Sequence, residues 1–313
     1  MKKWLQEKLV CPECLPRDSE LDLKIKEMCS DDVVDGILNC SGCGSNYPIR
    51  KGVAVLLPER SMSILAEDSA YNSKRMLSAY LWSHFCDLFK DPGATDAYRR
   101  WTSLFTETNG PALDIGCSVG RLSFELSKTH SQVIGIDTSL SFIEKARELL
   151  QHKKLSFDLI VEGHISQKRS YEFSDKWATD RVDFIVADAL ALPFPKGLFS
   201  TVSSVNILEK VPHPVQHLTE INRVLTVENA RFVFSDPFSW DETVSDADLW
   251  LGGKHSGKYN GRGIDCMRRI ISGGDGIFSP PMAIVEKGHV LWRIRKTENL
   301  WEHITSQYLV GTR

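Results

Sequence analysis

Two C-x-x-C pairs stand near the start of the chain, Cys11-Pro12-Glu13-Cys14 and Cys40-Ser41-Gly42-Cys43, with 25 residues between them. Two residues between thiolates let both sulfurs of a knuckle turn toward one ion. Two knuckles complete a tetrahedral four-sulfur shell, which suits zinc. Gly42 and Gly44 flank the last ligand, where a tight turn needs permissive backbone. Four protein ligands leave no open position, so Cys11, Cys14, Cys40 and Cys43 predict a structural Zn2+ rather than a catalytic one. Redox or disulfide use of the pairs, and loss of the metal, are the alternatives. Cys29 lies between the pairs and is not expected to be a ligand.

A second constellation begins at Ala112. Ala112-Leu-Asp-Ile-Gly-Cys-Ser-Val-Gly-Arg121 reads as a short apolar strand running into a glycine-bearing turn, followed by a helix from Leu122 to Lys128. Gly116 and Gly120 let the backbone come close to a ligand, and the helix start adds N–H donors and positive potential. Gln132 to Asp137 reads as a second strand ending in a carboxylate, 21 residues after Gly116. An acid there is placed to accept both hydroxyls of a ribose. A dinucleotide fold uses the same two parts, but its fingerprint is G-x-G-x-x-G. This chain has D-x-G-C-S-x-G, with an acid two residues before the first glycine.

The elements that must position these groups follow from apolar patterning. Ser139 can cap a helix over Phe142 to Leu150. Arg181 to Asp188 is a third strand with an acid at its end, Ser200 to Leu208 a fourth and Ala230 to Asp236 a fifth. His213 to Leu225 is a helix with Leu218, Ile221 and Leu225 on one face. Alternating strands and helices imply a parallel sheet covered on both faces. Val290–Arg295 and Gln307–Thr312 are expected to close it as an antiparallel pair. In the N-terminal unit, Ile49 and Val53–Leu57 read as strands around a turn at Lys51-Gly52. The chain divides into 1–60, a helical connector over 61–105, and 106–313. Within the connector, Ser61 to Phe89 has helical spacing that Asp91-Pro92-Gly93 ends. Trp82, Tyr98 and Trp101 there are expected to pack in a core, with a wall of an active site as the alternative.

Composition bounds the function. The chain has 313 residues, 42% hydrophobic and 25% charged, which excludes collagen-like and low-complexity classes. No apolar run approaches the ~18 residues of a membrane span. Met1 to Val10 lacks an apolar h-region, so a cytoplasmic, reducing location is expected. The net charge of -3 gives no global basic field for nucleic acid. One local exception is 252–296, with nine Lys/Arg against three Asp/Glu, an excess of +6. It reads as a solvated face or a site for a carboxylate-bearing substrate. Its first part, Gly252 to Gly276, holds eight glycines and predicts a mobile loop, either a lid or a disordered insertion. His255 and the other histidines show no metal spacing, and no G-x-S-x-G elbow is present.

Resemblances sharpen this reading. The D-x-G-C-S-x-G turn resembles motif I of class I S-adenosyl-L-methionine (SAM)-dependent methyltransferases. Ser118 takes the usual middle glycine's place, which suits serine if φ is negative. The resemblance implies an α/β, Rossmann-like seven-stranded fold, here preceded by a small zinc-ribbon domain. It also implies cofactor-binding roles for Asp114, Gly116, Cys117, Gly120, Asp137, Thr138, Asp188, Ala189 and Asn206. Asp188 would reach the adenine amino group, and Cys117 would pack under the cofactor. The N-terminal pattern C-P-x-C, C-x-x-C-G, Y-P-I-x-x-G-V-x-x-L-L-P resembles Trm112-like zinc ribbons, which are attached to or partnered with methyltransferases. That implies a module for a protein partner or for presenting substrate.

A closer likeness covers most of 110–313. LDIGCSVGRLSFELS, VIGIDTSLSFIEKA, SDPFSWDE and LWLGG resemble the methyltransferase domain fused to ovothiol synthases, which methylates the imidazole of 4-mercaptohistidine. Glu162-Gly163 before the third strand fits that pattern. Asn206-Ile-Leu-Glu-Lys-Val departs from its N-L-x-x-R-L, and the ribbon is foreign to it. The implied function is methyl transfer to a nitrogen, less often a sulfur, of a small histidine-like or heteroaromatic metabolite. RNA base methylation is the runner-up, and a non-catalytic SAM-fold partner subunit the third reading. A neutral imidazole nitrogen already has a lone pair, so an amide or carboxylate need only orient it or take its proton. Asn206 is the first candidate for that role and Glu209 the second. Their plain readings are a loop cap and an exposed side chain. Trp240 is weighed as an acceptor-site wall against core packing.

Overall fold

The computed structural model describes residues 1–65, 73–173 and 177–313. The N-terminal unit is an antiparallel run of β1 (Leu21–Cys29), β2 (Asp32–Cys40), β3 (Asn46–Arg50) and β4 (Val53–Leu56). Helices α1 (Lys74–Phe85) and α2 (Ala97–Thr102) lead into β5 (Ala112–Ile115), α3 (Arg121–Leu126), β6 (Val133–Asp137) and α4 (Leu140–His152). The hairpin β7 (Lys154–Glu162) and β8 (Ile165–Glu172) precedes β9 (Val182–Ala187), β10 (Thr201–Val205), α5 (Pro214–Val224) and β11 (Arg231–Asp236). Then come α6 (Gly263–Ile271), β12 (Ala283–Arg295) and β13 (Trp301–Thr312).

Seven of these strands run in the order β9-β6-β5-β10-β11-β13-β12, the first five parallel and β13 antiparallel to both neighbours. This is the α/β, Rossmann-like arrangement. The chain steps outward from β5 through β6 to β9, then returns to β10 on the other side of β5. The crevice above this reversal is where doubly wound sheets hold ligands. The short strands have the expected cause: β5 and β9 are buried at every residue, as strands covered on both faces must be. Ser139 caps α4, accepting from the Phe142 N–H at 3.3 Å.

The ribbon's strands extend the same sheet. β4 lies parallel to β9, with Val55 opposite Val186 and Leu56 opposite Ala187, giving eleven strands in all. Arg147 on α4 clamps the junction: it bonds Asp32 of the ribbon at 2.7 Å and Asp183 of β9. Among the described residues no helix is long and apolar enough to cross a membrane.

Three local expectations need correction. The helix expected over Ser61–Phe89 is a 3-10 segment at Glu59–Leu65 and then α1, which stops at Phe85; residues 66–72 of that span lie outside the described residues. Gly252 to Gly276 is neither a lid nor a disordered insertion. It contains α6, whose Cys266, Met267, Ile270 and Ile271 are buried at helical spacing. Its glycines serve packing: a Cβ on Gly252 would lie 2.3 Å from the Gly263 Cα. The β7–β8 hairpin was not foreseen, and Glu162-Gly163 sits at its turn.

Candidate active site and metal centre

The four cysteine sulfurs Cys11, Cys14, Cys40 and Cys43 lie within 4.8 Å of one another. Cys11 and Cys43 are 3.6 Å apart, and Cys14 and Cys40 are 3.7 Å apart. A tetrahedral zinc with bonds near 2.3 Å has sulfur–sulfur edges of about 3.8 Å. The donor set and its spacing therefore fit Zn2+ with no fifth protein ligand. Tyr47 OH stands 3.2 Å from the Cys11 sulfur, and Arg17 donates to the Cys14 sulfur at 3.6 Å. Cys29 is exposed and outside the cluster.

The turn after β5 is braced from below. Asp114 is buried and accepts from Ser123 Oγ at 2.7 Å and Ser203 Oγ at 2.8 Å, tying α3 and β10 to the turn. Burial pushes its carboxyl up to about 6. Gly116 has φ +70, and a Cβ there would sit 2.0 Å from Ile207 Cδ1. Cys117 donates its N–H to the Ile136 carbonyl at 2.9 Å, fixing the turn against β6. The expected negative φ at Ser118 is overturned: its φ is +50, in the left-handed region that favours glycine. That conformation aims the Ser118 N–H at Asp137 Oδ2, 3.0 Å away, while the Ser139 N–H donates to Oδ1 at 2.8 Å. Asp137 thus stands at the end of β6 with one backbone donor on each oxygen. Its enclosed position pushes its carboxyl up to about 6.

Asp188, at the end of β9, accepts from the Leu190 N–H at 2.8 Å and from Ser61 Oγ at 2.6 Å. The carbonyl of the next residue, Ala189, accepts from His217 Nδ1 at 3.4 Å, which leaves Nε2 to accept from Ser204 Oγ at 2.9 Å. Burial lowers His217 to about 4 and keeps it a neutral spacer between α5 and the strand ends. Asp114, Gly116, Cys117, Ser118, Asp137, Thr138, Asp188, Ala189, Asn206 and Glu209 all line one cavity of about 1020 Å³. Gly120, with φ +85, is not among its lining residues; it lets α3 start against Phe184.

The other end of the cavity is aromatic, with Tyr80, His84, Tyr98, Trp101, Phe142 and Trp292. Ring centroids are 5.0 Å apart for Tyr80–Phe142, 5.9 Å for Tyr80–Trp292 and 6.0 Å for Trp101–Trp292. Tyr98 and Trp101 therefore both pack and wall the cavity, whereas Trp82 is held away by Asp91 at 3.0 Å. Trp240 stacks on Trp250 and is not a wall. Asn206 has φ +58, and its Oδ1 accepts from Ser306 Oγ at 2.7 Å. Glu209 is only 3% exposed, against its expected exposure, and accepts from the Ser239 N–H and from Lys210 at 2.8 Å. Asp236, fully buried beside it, is pushed up to about 8 by burial and by the Glu209 charge. The sequence reading passed over Asp236, although an acid closing β11 repeats the pattern of Asp137 and Asp188. Of the nine basic residues in 252–296, only Lys296 lines the cavity, and Glu302 pairs with it at 3.2 Å.

Comparison with known proteins places this site in context. The family model described as a methyltransferase domain matches residues 113–230. A sterol 24-C-methyltransferase of Pneumocystis carinii is 26% identical over 164 residues, 50% of this chain and 37% of that protein. A demethylmenaquinone methyltransferase of Lactococcus lactis is 29% identical over 116 residues, 36% of each chain. The chain thus spans little more than a third of the length of these relatives. A Haemonchus contortus phosphoethanolamine N-methyltransferase 2, solved with S-adenosyl-L-methionine, aligns at 20% identity and TM-score 0.42 over 61% of this chain and 37% of that one. A methyltransferase domain of the Rossmann-like type therefore occupies the centre of the chain.

Proposed function

We propose that the chain is a SAM-dependent methyltransferase whose acceptor is a nitrogen, less often a sulfur, of a small histidine-like or heteroaromatic metabolite. The observation that carries this is one cavity with two chemistries. The β5 turn, Asp137 and Asp188 stand at the strand ends, and an aromatic wall faces them. Asp137 would accept the ribose hydroxyls, Asp188 would meet the adenine amino group, and the glycine turn would admit the rest of the cofactor. When bound, the sulfonium supplies an electrophilic methyl group for direct transfer. The chain's own contribution is alignment and exclusion of water by the aromatic wall. Asn206 keeps its amide NH2 for the acceptor, since its oxygen is taken by Ser306. Glu209, rigidly held by Ser239 and Lys210, can orient an N–H or take its proton.

The acidic lining argues for a small acceptor over RNA. Asp114, Asp137, Asp188, Glu209 and Glu302 outnumber Lys210 and Lys296, which suits no phosphate backbone. The ribbon would hold structural zinc and brace Asp188 through the β4–β9 pairing, and its outer strand β1 leaves an edge for a protein partner. The test is incubation with methyl-labelled SAM and a fractionated cell extract. Label is expected in small metabolites; label in RNA or protein would reassign the acceptor, and absence of S-adenosylhomocysteine binding in calorimetry would end the enzymatic reading. For the metal, Cys40→Ser is expected to drop bound zinc from one equivalent to none by elemental analysis. Unchanged metal content would contradict a four-thiolate site.

A further inference from the structure

The aromatic end of the cavity carries two buried polar atoms with no hydrogen-bond partner, His84 Nδ1 and Trp292 Nε1. Both residues are deeply enclosed, 4% and 5% exposed, and their rings lie 6.1 Å apart. An unpaired buried polar group costs about 1–3 kcal/mol, so two in one cavity ask for a ligand that meets them.

Their chemistry restricts that ligand. An indole N–H only donates. His84 Nε2 lies 2.8 Å from the Tyr98 hydroxyl, the one partner that hydroxyl has among the described residues. The hydroxyl proton is best used on that bond, so Nε2 accepts and Nδ1 keeps the ring N–H. The imidazole stays neutral, because it is buried and the Arg121 guanidinium donates to its own carbonyl at 2.8 Å. The pair therefore offers two neutral donors and no acceptor. Lys296, the nearby cation of the wall, is already matched by Glu302. His84 on α1 and Trp292 on β12 both lie outside the matched domain segment 113–230.

We propose that His84 and Trp292 form a two-donor clamp for an oxygen carried by the acceptor, carboxylate or carboxamide, while Tyr80 and Trp101 flank its ring. The clamp sets which end of the molecule faces the methyl group, and it deepens the methyltransferase reading on which it rests. Tyr98 acts through His84 by fixing the tautomer.

Calorimetry on the full chain saturated with S-adenosylhomocysteine tests this with three probes: imidazole-4-acetate, imidazole-4-acetamide and 4-methylimidazole. Both oxygen-bearing probes are expected to bind at least about tenfold tighter than 4-methylimidazole, the effect of one to two hydrogen bonds. The ratio between acetate and acetamide then identifies the oxygen. Trp292→Phe and His84→Phe should each cut the preference to below about threefold, with S-adenosylhomocysteine affinity unchanged. Equal binding of the three probes, or a preference that survives both substitutions, would overturn the clamp. If His84→Phe fails to fold, Trp292→Phe decides alone, since it keeps a ring and removes only the N–H. Failure of wild-type protein to bind S-adenosylhomocysteine would sink the underlying reading instead, a separate result.

Discussion

The two ends of the cavity are built by different means. At the cofactor end the groups come from one stretch, Asp114 to Ser139, plus Asp188, and they are backbone N–H groups and carboxylates at strand ends. At the acceptor end they come from α1, α2, the loop after β10, and β12, from Tyr80 to Trp292 along the chain. The first end is a local device set on a finished sheet. The second is part of the hydrophobic core, and its side chains hold the connector helices and the terminal hairpin against the sheet. Binding and folding are therefore separable at one end and coupled at the other.

The comparison breaks most directly at Trp101, which is fully buried and donates its indole N–H to Ser235 Oγ at 3.1 Å. Trp101→Ala should cost about 3–5 kcal/mol of stability, as large core truncations do. Denaturant unfolding measures it; a loss under about 1 kcal/mol would mean that the aromatic end merely lines the cavity. Asp137→Ala should act in the opposite way. It removes an acceptor for two hydroxyls, each charge-assisted bond being worth about 1.5–3 kcal/mol, so cofactor affinity should fall at least about 100-fold. The melting temperature should stay within a few degrees. Normal cofactor binding in that variant would refute the role of Asp137.

The same division explains what could be read from the residues alone. The cysteine knuckles, the D-x-G-C-S-x-G turn and the acid closing each strand are encoded by short spacing, and the parallel sheet follows from apolar runs separated by helical segments. The aromatic wall is not, because Tyr80, Trp101 and Trp292 meet only after the connector and the hairpin have docked. Glycine content hid α6, since turn glycines at positive φ flank a helix whose apolar spacing covers only Cys266 to Ile271. Glu209 reads as an exposed acid from its neighbours in sequence, and only the Ser239 loop folding over it makes it a buried one.

Proton linkage sharpens the contrast at Asp137, whose carboxyl lies near 6, above the roughly 3.9 of an unfolded chain. A raised acid favours the folded state when protonated, so its contribution to stability is full below about 4 and is lost as pH rises through about 6. Cofactor affinity has the reverse sign, because only the ionised carboxylate accepts from both hydroxyls. Titration should show affinity falling about tenfold between pH 7 and pH 5. Asp137→Asn should flatten that profile; a profile that survives the substitution would assign the proton elsewhere. Asp114, also near 6, is the next residue to test, although Ser123 and Ser203 already occupy its oxygens.

The finest test concerns Ser118. Its φ of +50 costs a non-glycine residue roughly 1–2 kcal/mol, partly offset in a glycine variant by the greater freedom of the unfolded chain. Ser118→Gly should therefore stabilise the protein by about 0.5–1 kcal/mol, visible as a rise of a few degrees in melting temperature. The N–H that meets Asp137 remains in that variant, so cofactor affinity should change less than about twofold. Ser118→Ala keeps the strained backbone and removes only the hydroxyl, whose Oγ has no partner in the protein. If both variants lose affinity equally, that hydroxyl touches the cofactor, and the turn recognises it through a side chain as well as through backbone. The distinction between a backbone-built end and a side-chain-built end would then fail at its centre.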